Sequence, residues 1–188
     1  MKDGSHFNVW IVITGAPSSG KTTLLHELQQ RGYPVVPESA REVLTSGEFD
    51  ESLSDVQTLI EERQQAKEQL IPPDEVVVLD RALPDSMAYR RLGGMETSDL
   101  RALIRPERYA TVFLCGFGEH IADGIRKDDT ERAREIERLL REVYLELGCR
   151  VIELPWSLDA DLAEGVAKRM ALIEAALGGG GSNDFLEL

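Results

Sequence analysis

The stretch "GAPSSGKT", Gly15–Thr22, brings together residue types that bind phosphate. It satisfies G-x-x-x-x-G-K-[ST] at every fixed position, with an apolar run before it and a helical pattern after it. Gly15 and Gly20 permit backbone angles that turn successive N–H groups to one side. Gly15, Ala16, Pro17, Ser18, Ser19, Gly20, Lys21, Thr22 and Thr23 therefore form the expected nucleotide cradle, with the phosphates at a helix N-terminus. Lys21 is placed to neutralise β- and γ-phosphate charge, and the Thr22 hydroxyl to coordinate a metal ion. The cofactors this chemistry predicts are ATP and Mg²⁺.

Such a loop needs partners, and polar residues follow the other apolar runs. Asp80 ends "VVVLD" and is the expected second holder of Mg²⁺, unless it only caps the next helix. Arg81 follows it, and Asp85 lies one turn into "ALPDSMAY"; both are expected on the substrate side. Glu38 follows "YPVVP", where an acid can orient or deprotonate an acceptor hydroxyl. Arg41 sits on the same helix face as Glu38 and suits a substrate anion. The competing reading is an i,i+3 pair between Glu38 and Arg41. The polar stretch 116–133 can close over the γ-phosphate and supply a cation, with Arg126 as candidate and Lys127 and Arg132 behind it. Lys21, Glu38, Asp80 and Arg126 are the expected catalytic set. Trp156 either stacks on a base or anchors the last helix. His6, His26 and His120 have no metal-ligand spacing.

The elements that must hold these residues alternate. Strands are expected at Asn8–Thr14, Tyr33–Pro37, Glu75–Asp80, Tyr109–Gly116 and Cys149–Pro155, with helical patterns between them. In the long helix over 131–148, Ala133, Ile136, Leu139, Leu140, Val143, Tyr144 and Leu147 recur at threes and fours. Strands that are apolar throughout need cover on both faces. The expected fold is therefore α/β: a five-stranded, mostly parallel sheet in an α/β/α sandwich. Ligands of such sheets bind at the carboxyl ends of the strands, where the polar residues above fall.

The 188 residues carry a net charge of −13, which argues against nucleic acid or anionic membrane as partners. No apolar run reaches the roughly 20 residues of a membrane span. The N-terminus lacks a signal-like apolar core, so a cytoplasmic protein is expected. Cys115 and Cys149 lie in apolar stretches and are expected as reduced core thiols. The organisation expected is an unstructured or vector-derived segment over 1–7, one domain over 8–177, and a tail over 178–188. That tail, "GGGGSNDFLEL", has the composition of an engineered flexible linker followed by a short apolar-acidic peptide. The peptide suits docking in a groove, which suggests a protein or peptide partner; the other reading is a scar.

"ITGAPSSGKTTLLHEL", "VPESAREVL", "VVVLDRALPDSMAYRRLG", "ADGIRKDD" and "LGCRVIELPW" occur in this order. Together they resemble the P-loop AAA-type ATPase/kinase family related to the ribosylnicotinamide kinase domain of bacterial NAD regulators. The resemblance implies a P-loop NTPase fold, nucleotide-kinase-like with a small lid, and Mg-ATP as donor. It also implies an acceptor-facing acid in "PESAR", an acid–arginine pair in "LDRA" and a lid arginine in "ADGIR". No N-K-x-D guanine motif is present, which favours ATP over GTP. Two activities are expected from different classes. One is phosphoryl transfer from ATP to a small, nucleoside-like hydroxyl acceptor, or hydrolysis at the same site. The other is a nucleotide-dependent ATPase/GTPase switch that binds a protein or peptide.

Overall fold

A computed structural model describes residues 10–46, 53–72, 75–118, 127–156 and 161–178. Five strands are present: β1 (Trp10–Gly15), β2 (Val35–Val36), β3 (Val77–Asp80), β4 (Tyr109–Cys115) and β5 (Val151–Leu154). All their pairings are parallel, in the order β2-β3-β1-β4-β5. The expected sheet is thus found, and wholly parallel among the described residues. Seven helices are described: α1 (Lys21–Gln30), α2 (Ser39–Ser46), α3 (Leu53–Leu70), α4 (Leu83–Leu92), α5 (Ser98–Leu103), α6 (Lys127–Glu146) and α7 (Leu162–Gly178). None among the described residues is long and apolar enough to cross a membrane.

The period-two side-chain alternation of the strands divides the core into two layers. Trp10, Val12, Val77, Leu79, Val112 and Leu114 face α4, α5 and α6. Ile11, Ile13, Val78, Phe113, Cys115 and Leu154 face Leu24, Leu25 and Leu28 of α1 and Met170 and Ile173 of α7. All seven apolar positions expected on this long helix are buried in the first layer, six on α6 and Leu147 just past its end. Cys115 and Cys149 are free and buried, as expected.

Central strand β1 pairs with β3 on one side and β4 on the other, so its carboxyl end is enclosed by both neighbours. At that end Gly15 has φ +146°, and a Cβ there would lie 2.5 Å from the Cys115 carbonyl oxygen. The loop leaves the sheet here because no side chain intervenes. Gly15→Ala is expected to cost about 2 kcal/mol through overpacking and the unfavourable φ. A fall in denaturant midpoint at constant m-value checks this. A midpoint unchanged from wild type would remove the close-approach argument.

Candidate active site

The phosphate loop is shaped by three left-leaning turns of backbone. After Gly15, Ser18 has φ +61° and Gly20 has φ +82°, the latter at the N-cap of α1. No side chain caps that helix and no acid lies in its first turn, so its leading N–H groups and positive dipole end are left for an anion. The Lys21 ammonium folds back over the loop, donating to the carbonyls of Ala16 (2.8 Å) and Gly15 (3.2 Å) and to Ser19 Oγ (3.4 Å). Burial pushes its pKa down to about 8, with Arg81 adding repulsion; Cys115, Asp80 and Glu38 pull the other way. A bound phosphate would favour the charged form and raise it again.

Glu38, Asp80 and Arg81 stand beside this loop. β2 and β3 are neighbours, and that adjacency, not helix spacing, chooses the partner of Glu38: Arg81 Nε donates to its Oε1 at 2.7 Å. The i,i+3 pairing with Arg41 is therefore not adopted; Arg41 is exposed at the cavity rim. Arg81 itself has φ +66°, directly after the last strand residue, and its amide donates to the Ile13 carbonyl of β1 at 3.1 Å. Left-handed backbone at a non-glycine residue is an unfavourable arrangement that the surroundings must enforce. Here it aims a buried guanidinium across to Glu38, to Asp85 Oδ1 at 3.2 Å, and over the Tyr89 ring at 5.3 Å from its centroid.

Asp80 does not cap α4. The N-cap position is Ala82, whose amide is held by Asp85 Oδ2 at 3.1 Å, while Glu68 of α3 takes the Leu83 amide at 2.7 Å. Asp80 Oδ1 is instead buried with no hydrogen-bond partner. Burial raises the Asp80 pKa to about 6, and Glu38 adds to it against the pull of Lys21 and Arg81. Asp85 lines the same cavity, but its two oxygens are occupied by Thr14, Arg81, Tyr144 and the Ala82 amide. Its geometry is that of an anchor beneath Arg81.

These groups share one cavity of about 630 Å³. The phosphate loop from Pro17 to Thr22 forms one wall, and Glu38, Asp80 and Arg81 form the floor. Leu44, Ile60 and Tyr89 make an apolar side distant from the loop in sequence. The size lies within the usual range of small-molecule sites, roughly 300–1,000 Å³, and apolar walls with a few converging polar groups are their common form.

Several other expectations meet the structure here. Arg126, the proposed lid cation, lies outside the described residues, as do His6, His120 and the tail beyond Gly178. Arg132 is exposed and lines a smaller cavity with Pro17, Ser18, Tyr89 and Phe117. Trp156 is half-buried; a Cβ on Gly118 would approach its ring to 2.3 Å, and the Arg169 guanidinium lies over it at 5.0 Å. Those contacts match the anchoring reading of Trp156. Arg169 was not anticipated. Placed midway along α7, it donates to the carbonyls of Ser19 (2.6 Å), Gly116 (2.9 Å) and Pro155 (3.0 Å). Its only sequence signal is the Lys168–Arg169 pair within an otherwise apolar stretch, "VAKRMALI".

Residues 10–163 match the model of a family described as an AAA domain. The comparison with curated proteins returns no match. Among solved structures the chain is similar to NadR protein in complex with NR, at TM-score 0.70 and 22% identity over 95% of this chain. It spans about half of that protein's length, 52%. It is similar also to thymidylate kinase from Ehrlichia chaffeensis (TM-score 0.64, 18% identity, 89% of this chain and 98% of that one). A third is deoxyadenosine kinase from M. mycoides (TM-score 0.58, 15% identity, 90% and 98%). The shared fold is that of the P-loop nucleoside and nucleotide kinases.

Proposed function

For a chain that belongs to the AAA domain family, we propose the activity of a small-molecule kinase, moving the terminal phosphoryl group of ATP to a hydroxyl of a nucleoside-like acceptor. The observation that carries this reading is the shared cavity. A phosphate cradle alone would serve a hydrolase or a switch; here it opens into a recess with its own apolar wall and its own acid, Glu38. Two kinases of similar fold, a thymidylate kinase and a deoxyadenosine kinase, support it.

In this reading the loop amides and Lys21 hold the β- and γ-phosphates, Lys21 exchanging its carbonyl partners for phosphate oxygens. The acceptor lies against Leu44, Ile60 and Tyr89 with its hydroxyl toward Glu38. Glu38 orients that hydroxyl and takes its proton as the new P–O bond forms and the bond to ADP breaks. Arg81 holds Glu38 in place. Arg41, exposed on the cavity lining, is a cation available to close the site, and Arg126 is the lid cation that the sequence reading offers.

Magnesium fits the donor set. Asp80 Oδ1 is buried and unpartnered, and Thr22 is exposed to the same cavity. Mg²⁺ commonly takes one or two protein oxygens and completes its shell with water and phosphate. Thr22 and Asp80, directly or through water, would hold it, and when bound it would offset charge on the bridging phosphate oxygens.

The test is a screen of nucleosides and other alcohols with Mg-ATP, reading ADP formation. At least one acceptor should raise the rate above that with water alone. Glu38→Gln should lower that acceptor-dependent rate about 100-fold, within the usual range for a general base, and change hydrolysis little. No acceptor above the water rate, with hydrolysis indifferent to Glu38→Gln, removes the kinase reading. The switch reading rested on the tail, which lies beyond the described residues except for Gly178.

A further inference from the structure

Arg169 is 5% exposed, and no carboxylate among the described residues lies within ion-pair distance of it. A buried guanidinium without a counter-ion is costly. Packing α7 onto the sheet does not require one, since Met170 and Ile173 already do so. What the guanidinium does instead is bind three carbonyls from three loops: Ser19 of the phosphate loop, Gly116 after β4 and Pro155 after β5.

The Ser19 contact has a geometric consequence. In a trans peptide unit the C=O and the following N–H point in opposite directions. Holding the Ser19 oxygen toward α7 at 2.6 Å therefore turns the Gly20 N–H the other way, away from Arg169. Gly20 makes the contact feasible, because a Cβ there would come within 3.2 Å of Arg169 Nη1. The lysine works on the same loop from inside, binding the Gly15 and Ala16 carbonyls. Arg169 works from outside, on the peptide that leads into Gly20, the N-cap of α1.

We propose that Arg169 is a positioning residue for phosphate binding: its fork sets the Ser19–Gly20 peptide so that the loop is already curved to receive an anion. The proposal rests on the phosphate-binding part of the reading above. It adds that α7, near the end of the chain, is part of the nucleotide site. Preorganisation of this kind removes an ordering cost that the ligand would otherwise bear.

The experiment measures binding of inorganic pyrophosphate and of Mg-ATP by calorimetry, well below every melting temperature, so no acceptor is needed. Arg169→Met should weaken both by about tenfold, or 1.4 kcal/mol. Arg169→Lys, a point charge without the fork, should fall between, with a loss of about threefold. Ile173→Ala is the control, because it loosens α7 without touching the loop. It should lower the melting temperature and leave pyrophosphate affinity within twofold of wild type. If Arg169→Met does not fold, Arg169→Lys carries the comparison. Pyrophosphate affinity unchanged in the Arg169 variants, or lost equally in Ile173→Ala, overturns the positioning role while leaving the kinase reading intact. Failure of the wild-type protein to bind either ligand overturns both.

Discussion

Replacing Asp80 by Asn is expected to stabilise the protein at pH 8 and to abolish most phosphoryl transfer. The two effects have one origin, a carboxylate held where it is poorly solvated. The Asp80 pKa is raised from 3.8 to about 6, chiefly by burial and then by Glu38. The folded state therefore holds that proton more tightly than the unfolded chain. Below about pH 4 both states carry the proton and the group is neutral in its effect. Between about pH 4 and 6 stability falls, because the unfolded chain ionises while the folded state keeps its proton, and above 6, with both ionised, the whole cost is present. Two pKa units correspond to roughly 3 kcal/mol, and Asn should recover about 2 kcal/mol of it. Denaturant midpoints at pH 8 and pH 4 check this: the variant should exceed wild type at the first and match it at the second. Loss of the proposed metal-holding oxygen should at the same time lower transfer about 1,000-fold, as large losses follow when charge stabilisation in the transition state is removed. A variant less stable than wild type at both pH values, or one that keeps its activity, would refute this assignment.

What could be read from the chain alone was what depends on short spacing. The phosphate loop is eight consecutive residues, and its chemistry is local. The strands and the buried face of α6 follow from hydrophobic period, which the fold obeys. The partners inside the site were harder, because they are set by strand adjacency. Helical spacing in "ESAREVL" pairs Glu38 with Arg41; the sheet brings Arg81 to it across 43 residues of sequence. Asp80 offered two roles, metal holder or helix cap, and the fold excludes the cap by placing Asp85 and Glu68 on that task. Glu61, Gln64 and Glu68 form a polar stripe on α3 that reads as a solvated face, yet all three are buried. Gln64 donates to Glu68 and accepts from Ser39, and Tyr109 donates to Glu68, so the stripe ties α2 and β4 to α3 beside the cavity. No short-range pattern distinguishes such a stripe from a surface. Arg169 is hidden for the same reason: its three partners are backbone carbonyls, which carry no residue-type signal.

Arg81→Ala should be the most destabilising change at the site. The guanidinium is the only cation within ion-pair distance of Glu38 and Asp85 among the described residues, and Asp85 is 3% exposed. Removing it leaves two acids facing each other near Asp80 with no compensating charge. Loss of one partner of a buried pair typically costs about 3–5 kcal/mol, and about 4 kcal/mol is expected here. The backbone offers an internal check. Arg81 has φ +66°, which both Arg and Ala adopt at a cost and Gly adopts freely. Arg81→Gly should therefore be about 1 kcal/mol less destabilising than Arg81→Ala, despite being the smaller residue. The charge argument predicts a further coupling. In the Arg81→Ala background, Glu38→Gln should cost less than in wild type or even stabilise, because it then removes an unpaired acid. A double-mutant cycle on denaturant midpoints reads that coupling, expected at about 1–3 kcal/mol. Strict additivity would mean that Arg81 and Glu38 do not act as a unit, and Arg81 would then hold Asp85 and the turn after β3 without setting the acid proposed to face the acceptor.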